Sequence, residues 1–300
     1  MRAMARILCL GIVTWDLLFR VDAIPTTPTK VQALDCLEVG GGMAASAAVA
    51  VARLGGEAHF WGRCGQDELG RRIIAELRGE GVDVSRLRQV ANGRSPISAI
   101  LIDRRGERLV VPYYDPHLDP SPDWLPIEEI GTFDAVLVDV RWPPGAERGL
   151  SAARAAGRIA MLDADLAPRS VLAALIPHAS HIVFSEPALK DYACKQDLAE
   201  ALDVVSREVT AMLGVTAGPA GFYWLEAGVL RHEPAPLVEA QDTLAAGDVF
   251  HGAFALALAE GKSLAAAGRF ATIAASIKCT RFGSRLGCPT RAEVEAFSPG

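Results

Sequence analysis

Asp242-Thr243-Leu244-Ala245-Ala246-Gly247-Asp248-Val249-Phe250-His251-Gly252 is the stretch on which the reading of this chain turns. Small residues lead into a run, 246–260, that is apolar on almost every side. A helix that is apolar all round is buried. Its first N–H groups have no acceptor inside the helix, so they open into the protein or into a cleft. Small side chains leave those groups accessible to an anion, and the helix dipole adds to the attraction. Asp248, in the first turn, would compete with such an anion. One chemistry wants both: a general base beside an oxyanion hole for a phosphoryl group in transfer. The plainer reading is that Asp248 caps the helix and Gly247 makes a turn. The four residues 245–248 alone do not decide between the two.

Outward from this stretch, a second helix is expected over 263–278. Upstream, 133–140, 158–162, 181–184 and 213–216 are short apolar runs separated by Ala-rich helical stretches. That alternation predicts a parallel sheet with helices on both faces. Residues 7–13 read as a further buried strand, and 58–62 as another. Gly40-Gly41-Gly42 opens an Ala-rich helix over 43–54, closed by Gly55-Gly56. Three segments break the alternation. The runs 17–21 and 34–39 flank a Pro/Thr-rich turn at 25–30. The runs 98–103 and 107–111 flank Arg104-Arg105-Gly106, a hairpin signal, and 221–225 and 229–232 do the same around Ala227-Gly228. The expectation is one three-layer α/β/α domain, residues 1–300, with a mainly parallel central sheet. A small β lid is expected from about 17–39 and 98–113. Such a lid would keep water from a reaction that water would spoil.

The bulk properties narrow the classes. Of 300 residues, 50% are hydrophobic and 22% charged, which suits a large core. A net charge of −6 argues against a chain-wide nucleic-acid footprint. Any anionic substrate must be gripped by a few placed basic groups. The longest apolar stretch, 43–52, is too short to span a membrane. The N-terminal apolar run lacks a small-residue cleavage site, and a cytoplasmic protein is expected. The six cysteines form no CxxC pair and are expected to be reduced and mostly buried. His178 and His181 lack a Cys or carboxylate to complete a zinc set, so a structural or surface role is expected. Gly261-Lys262-Ser263 looks like the end of a P-loop, but Leu256 stands where a Gly is required and no strand precedes it. Gly261 more simply ends one helix and Ser263 caps the next.

The longer pattern from Asp242 to Gly252 resembles the signature D-T-x-[AG]-A-G-D-x-F-x-G of the ribokinase-like (PfkB) carbohydrate kinases, and matches it at every specified place. The resemblance implies that Asp248 is the base that takes the proton of an attacking hydroxyl. It implies that the N–H groups of Ala245, Ala246 and Gly247 form the anion hole. Val39 with Gly40-Gly41-Gly42, and Arg53-Leu54-Gly55 behind them, fit the family's di-glycine substrate segment. Gly41 and Gly42 would let a sugar approach the backbone closely, with Ser46 in the helix behind them as a further implied contact. Asp16, after Gly11, fits the family's sugar-contacting carboxylate, which can accept two hydroxyl hydrogen bonds. Gly65-Gln66-Asp67 with Gly70 matches a further, structural segment. Thr216-Ala217-Gly218 with Gly221 resembles the segment bordering the nucleotide, and Gly283 lies in the tail near the adenine. ATP and Mg²⁺ are implied, with a monovalent cation left open. The family's N-x-x-E element, which organises magnesium through water, is not matched at Phe184-Ser185-Glu186-Pro187-Ala188. Glu186 is either the metal's carboxylate or an acid favoured at a helix start. Asp163 and Asp165 are the next candidates.

The strings 39–42, Asp139-Val140-Arg141-Trp142, 184–187, 247–252 and Lys278-Cys279-Thr280-Arg281 are most similar to the sulfofructose kinase branch. That similarity implies phosphorylation of the 1-hydroxyl of 6-deoxy-6-sulfofructose, with Lys30 and Arg141 gripping the sulfonate. The other reading makes Lys30 a solvated loop residue and pairs Arg141 with Asp139 or Asp163. One departure stands out: Pro112 occupies a place where the branch has an Asn, and proline brings no donor. Tyr113 or Tyr114 would have to replace that contact. The alternatives are another PfkB-type kinase (fructokinase, ketohexokinase-like, 2-keto-3-deoxygluconate kinase, nucleoside kinase) or a non-catalytic sugar sensor. An exposed lid sheet must be covered, so a homodimer through Leu17, Leu18, Phe19, Leu37 and Val39 is expected.

Overall fold

The computed structural model describes residues 4–297; residues 1–3 and 298–300 of the expected 1–300 unit lie outside the described residues. The first half of the chain runs β1 (Arg6–Gly11), β2 (Thr14–Arg20), β3 (Asp35–Gly41), α1 (Met43–Arg53), β4 (Glu57–Gly65), α2 (Glu68–Gly79), β5 (Leu87–Val90), β6 (Ile97–Ile102) and β7 (Arg108–Tyr113). Regular alternation follows: β8 (Ala135–Asp139), α3 (Pro143–Ala155), β9 (Ile159–Ala164), α4 (Arg169–Leu175), β10 (His181–Ser185), α5 (Glu186–Ala193), α6 (Leu198–Ser206) and β11 (Met212–Thr216). A hairpin, β12 (Phe222–Glu226) and β13 (Val229–Glu233), leads to α7 (Ala246–Ala259), α8 (Leu264–Cys279) and α9 (Arg291–Ala296).

The large sheet has the order β13-β12-β11-β10-β9-β8-β1-β4-β5. Every pair from β11 to β5 is parallel, and only the β12–β13 end is antiparallel. Parallel strands are covered on both faces, which is why β8 reads Ala-Val-Leu-Val-Asp and is buried throughout. One core holds Val49, Phe250, Phe254 and Ala271 under α1, α7 and α8. The other holds Leu150, Leu172, Leu189 and Leu202 under α3 to α6. The three layers therefore follow from the apolar pattern. Strand β1 pairs with β4 on one side and with β8 on the other, so the chain order switches there. In open α/β sheets the crevice at such a switch, beyond the C-terminal strand ends, is where ligands bind. Helix α7 packs backbone to backbone on α1. A Cβ on Gly252 would lie 2.5 Å from the Ala47 carbonyl oxygen, so only glycine permits the contact.

The smaller sheet has the order β3-β2-β6-β7, formed by the two segments expected to make it. Its central pair, β2–β6, is parallel. Leu18, Val39, Ile100 and Ile102 make its own small core, against which Leu244 and Phe282 pack. Leu18 and Val39 are therefore buried and cannot serve a dimer face. The exposed apolar side chains of this sheet are instead Leu109, Val110, Val111 and Tyr113, all on β7. Two elements were not foreseen. Strand β5 is only four residues long. Helix α9 is announced by a capping box between Thr290 and Glu293, a T-x-x-E signal present in the sequence.

Among the described residues no helix is long and apolar enough to cross a membrane. All six cysteines are free; Cys9, Cys64 and Cys288 are buried, but Cys36 and Cys194 are exposed. Ser263 caps α8 by accepting from the Ala266 N–H, as the P-loop look-alike was expected to do.

Candidate active site

The N-terminus of α7 opens at the crevice. Ala245 takes the left-handed conformation, φ 62°, immediately before the helix. For a residue with a Cβ that costs about 1–2 kcal/mol. The change of hand turns successive N–H groups toward one side, the concave arrangement that holds anions. The N–H groups of Ala245, Gly247 and Asp248 meet no backbone acceptor among the described residues. Ala246 departs from expectation: its N–H donates to the Thr243 carbonyl at 3.3 Å. A Cβ placed on Gly247 would meet nothing within 4 Å, and its φ is not positive. The fold itself therefore does not require glycine there.

Asp248 stands on this first turn, partly buried. Burial holds its carboxyl well above the usual range, and Asp163 pushes the same way while His251 opposes. Asp163 is itself held high, by burial first and then by Asp165 and Asp139. His251 braces the turn from below. Its Nδ1 donates to the Gly247 carbonyl at 2.7 Å, and its Nε2 lies 3.4 Å from an Asp163 oxygen. A carboxylate whose ionised form is disfavoured makes a better proton acceptor than an ordinary aspartate.

The loop before α7 is anchored by Asp242, which is fully buried. Its Oδ1 accepts from the Leu244 N–H, and its Oδ2 from Gly283 and Ser284. The Lys278 ammonium lies 3.3 Å from that Oδ2 and donates to the Asp242 carbonyl at 2.6 Å. Thr243 ties the loop to the smaller sheet. It donates to the Gly106 carbonyl and accepts from Arg108.

Across the crevice, Asp16 is buried at the start of the smaller sheet and accepts from Thr14 at 2.7 Å. Burial raises its pKa, against the lowering effect of its hydroxyl partners and of Arg285. The glycines beside it are packed tight. A Cβ on Gly41 would lie 1.9 Å from the Asp16 carboxylate, and one on Gly40 would lie 1.7 Å from the Arg285 guanidinium. Gly42 has φ +94° and would strike the Ile12 carbonyl. Arg285, fully buried, pairs with Glu76, which in turn accepts from the Gly40 N–H at 2.7 Å. Asp139 closes the floor by accepting from the N–H groups of Ile12, Ala44 and Arg141. Ser46 is buried behind this segment with no partner for its hydroxyl.

The other expected residues divide. Gly283 joins the α7 loop through Asp242. Thr216 ends β11 and donates to the Phe184 carbonyl. Gly218 and Gly221 shape the turn after it, at φ +51° and +97°. Arg141 is paired, but with Asp165 at 2.9 Å and the Leu166 carbonyl, neither of the partners foreseen for it. Lys30 is exposed in the 21–34 loop. Glu186 begins α5 and is neutralised by Lys190 at 2.6 Å, in an open pocket of about 550 Å³. Among the described residues no group of three metal-ligating side chains occurs. Tyr114 follows β7 and is 45% exposed; desolvation raises its phenol first, Arg141 opposes, and Asp139, Asp16 and Asp165 add to the rise. Tyr113 instead lies under Arg94.

Comparison with known proteins gives the family of the chain. Residues 4–291 match the pfkB family carbohydrate kinase profile. The chain is 30% identical over 294 residues to a ribokinase of Bacillus subtilis, covering 97% of this chain and 99% of that one. It is 28% identical over 305 residues to fructokinase-1 of Zea mays, covering 91% and 93%. A putative ribokinase from Agrobacterium tumefaciens has a solved structure that superposes with a TM-score of 0.94 at 47% identity, covering 98% and 97%. The chain belongs to the pfkB family of carbohydrate kinases. Its chemistry is ATP-dependent phosphorylation of a carbohydrate.

Arg285 has no place in the sequence reading, and Asp139, His251 and Lys278 stand there only within longer strings or, for Asp139, as a partner for Arg141, without the roles seen here. Only His251 carried a signal, being a polar residue on an otherwise apolar helix.

Proposed function

We propose that this chain transfers the terminal phosphoryl group of ATP to a hydroxyl of a small, neutral sugar of the ribose or fructose type. One observation carries the proposal: Asp248 and N–H groups without a backbone acceptor share the first turn of α7, and the space beside Gly247 on that turn is open. Asp248 would take the hydroxyl proton as the oxygen attacks. The N–H groups of Ala245, Gly247 and Asp248 would stabilise charge on the phosphoryl oxygens. Asp16, the di-glycine segment and the unpaired Ser46 hydroxyl would orient the sugar. Thr216, Gly218, Gly221 and Gly283 would border the nucleotide. Mg²⁺ on the phosphates would neutralise their charge. An ion that arrives with ATP and keeps most of its waters needs only one or two carboxylates; Glu186 would serve it by exchanging its present partner, Lys190, for the ion. The smaller sheet acts as the lid of a single kinase unit. Two copies pair through the exposed apolar face of β7, and the enzyme works in the cytoplasm.

A neutral sugar is favoured because Arg141 already serves Asp165, and the crevice is lined by Asp16, Asp139, Asp163 and Asp248. The second reading is 6-deoxy-6-sulfofructose, phosphorylated at its 1-hydroxyl. It is favoured by Lys30, which is exposed and makes no ion pair among the described residues. The test is ADP release with Mg-ATP across ribose, fructose, fructose 6-phosphate, 2-keto-3-deoxygluconate, adenosine and the sulfonated sugar. Turnover of a neutral sugar is expected. Turnover of the sulfonated sugar alone selects the second reading. Sugar binding without turnover of any of them would make the chain a sensor and defeat both.

A further inference from the structure

Lys278 is a fully buried ammonium that the proposed chemistry does not use. It projects from the last turn of α8 to the loop that precedes α7. Both Lys278 and Asp242 have no exposed side-chain surface. The ammonium lies 2.6 Å from the Asp242 carbonyl oxygen and 3.3 Å from its carboxylate. The same carboxylate fixes Leu244, the residue before Ala245, through the Leu244 N–H at 2.8 Å. Through Gly283 and Ser284 it also fixes the tail that returns to the crevice. A buried carboxylate stays ionised only when its charge is compensated. Lys278 supplies that compensation. Without it, the buried carboxylate would lose its one cationic partner among the described residues, and the anchor of Leu244 and Ala245 would move.

We propose that Lys278 is a positioning residue, an internal cation that locks the Asp242 loop and so sets the anion hole, making any bound monovalent cation unnecessary for turnover. The inference rests on the kinase reading above. It separates from a merely structural role because a missing cation can be supplied from solution. In Lys278→Met, of similar length but uncharged, the cavity left beside Asp242 would admit a small cation and refuse a bulky one.

The first arm uses the wild-type enzyme. Turnover of its sugar is measured with tetramethylammonium as the only monovalent cation, then with potassium or ammonium at equal ionic strength. The rates should agree, since any difference from screening is held constant. A rate that depends on the small cation overturns the proposal. The second arm measures Lys278→Met. A fall in kcat of about 10²-fold is expected, the size of effect seen when one anion-hole donor is lost. KM for sugar and ATP should stay nearly constant, because the loss is of transition-state stabilisation. Ammonium chloride should restore part of kcat, and tetramethylammonium chloride should not. An unchanged kcat, or a loss that no small cation relieves, contradicts the proposal. If wild type phosphorylates no sugar, the kinase reading fails on its own. The thermal midpoint of Lys278→Met then decides: it should rise with ammonium but not with tetramethylammonium. If Lys278→Met does not fold, the wild-type arm decides alone.

Discussion

A glycine cluster and a single glycine lie on opposite sides of the crevice, and they are glycine for opposite reasons. At Gly40, Gly41 and Gly42 the space for a Cβ is already taken, by Arg285, by Asp16 and by the Ile12 carbonyl. Those glycines answer to the protein. At Gly247 the space is empty and the backbone is ordinary. That glycine answers to something that must enter. The difference teaches that a glycine motif marks a ligand only where the fold leaves room for the missing side chain. The di-glycine segment, expected from the sequence to let a sugar approach the backbone, is first of all a packing device for the buried Arg285, its half-buried partner Glu76, and Asp16.

The comparison can be sharpened by substitution, taking the largest effect first. Asp248→Asn removes the proton acceptor and should lower kcat by about 10²–10⁴-fold. The same change should raise the thermal midpoint at neutral pH. The folded-state pKa of Asp248 lies above its unfolded value, so its ionised form counts against the folded state above the unfolded pKa. Gly247→Ala should cost about 10²–10³-fold in kcat, because the methyl would occupy the space of the phosphoryl oxygens. Gly41→Ala should do the reverse. It should destabilise the protein by about 1–3 kcal/mol through overpacking against Asp16, and raise the sugar KM, with a lesser effect on kcat. The smallest effect is a shift in pH dependence. Asp248 must be ionised to act, so activity should fall on the acid side, with a limb above the ordinary carboxylate range. Asp163 and Asp248 titrate as a coupled pair. Asp163→Asn removes a charge that resists ionisation of Asp248, so the acid limb of kcat against pH should move to lower pH. A limb that moves up would show that Asp163 does not act by repulsion.

Much of this was legible in the sequence because it is local. The all-apolar helix after small residues gave α7 and its open N-terminus. The alternation of apolar runs gave the parallel sheet, and the two interrupted hairpin-like segments gave the smaller sheet. The parts that were not legible depend on partners far apart in the chain. Lys278 meets Asp242 36 residues away, and Arg285 meets Glu76 across 209 residues. A single cation in a helix or tail carries no periodic mark, and nothing local says it is buried. Arg141 could be judged as paired, but Asp165 lies on a neighbouring strand end, and only the register of β8 beside β9 brings them together. Strand β5 is too short for its alternation to stand out. Ala246 lost its free N–H to a turn that depends on Ala245 adopting a left-handed conformation, which alanine does not advertise.

The most direct test of the account is to measure Gly247→Ala twice, by thermal unfolding and by ADP release with the sugar that wild type accepts. The account predicts an unchanged melting temperature and a kcat lower by about 10²–10³-fold. A variant that melts early would show that Gly247 serves the fold after all. One that turns over at the wild-type rate would show that the phosphoryl group passes elsewhere.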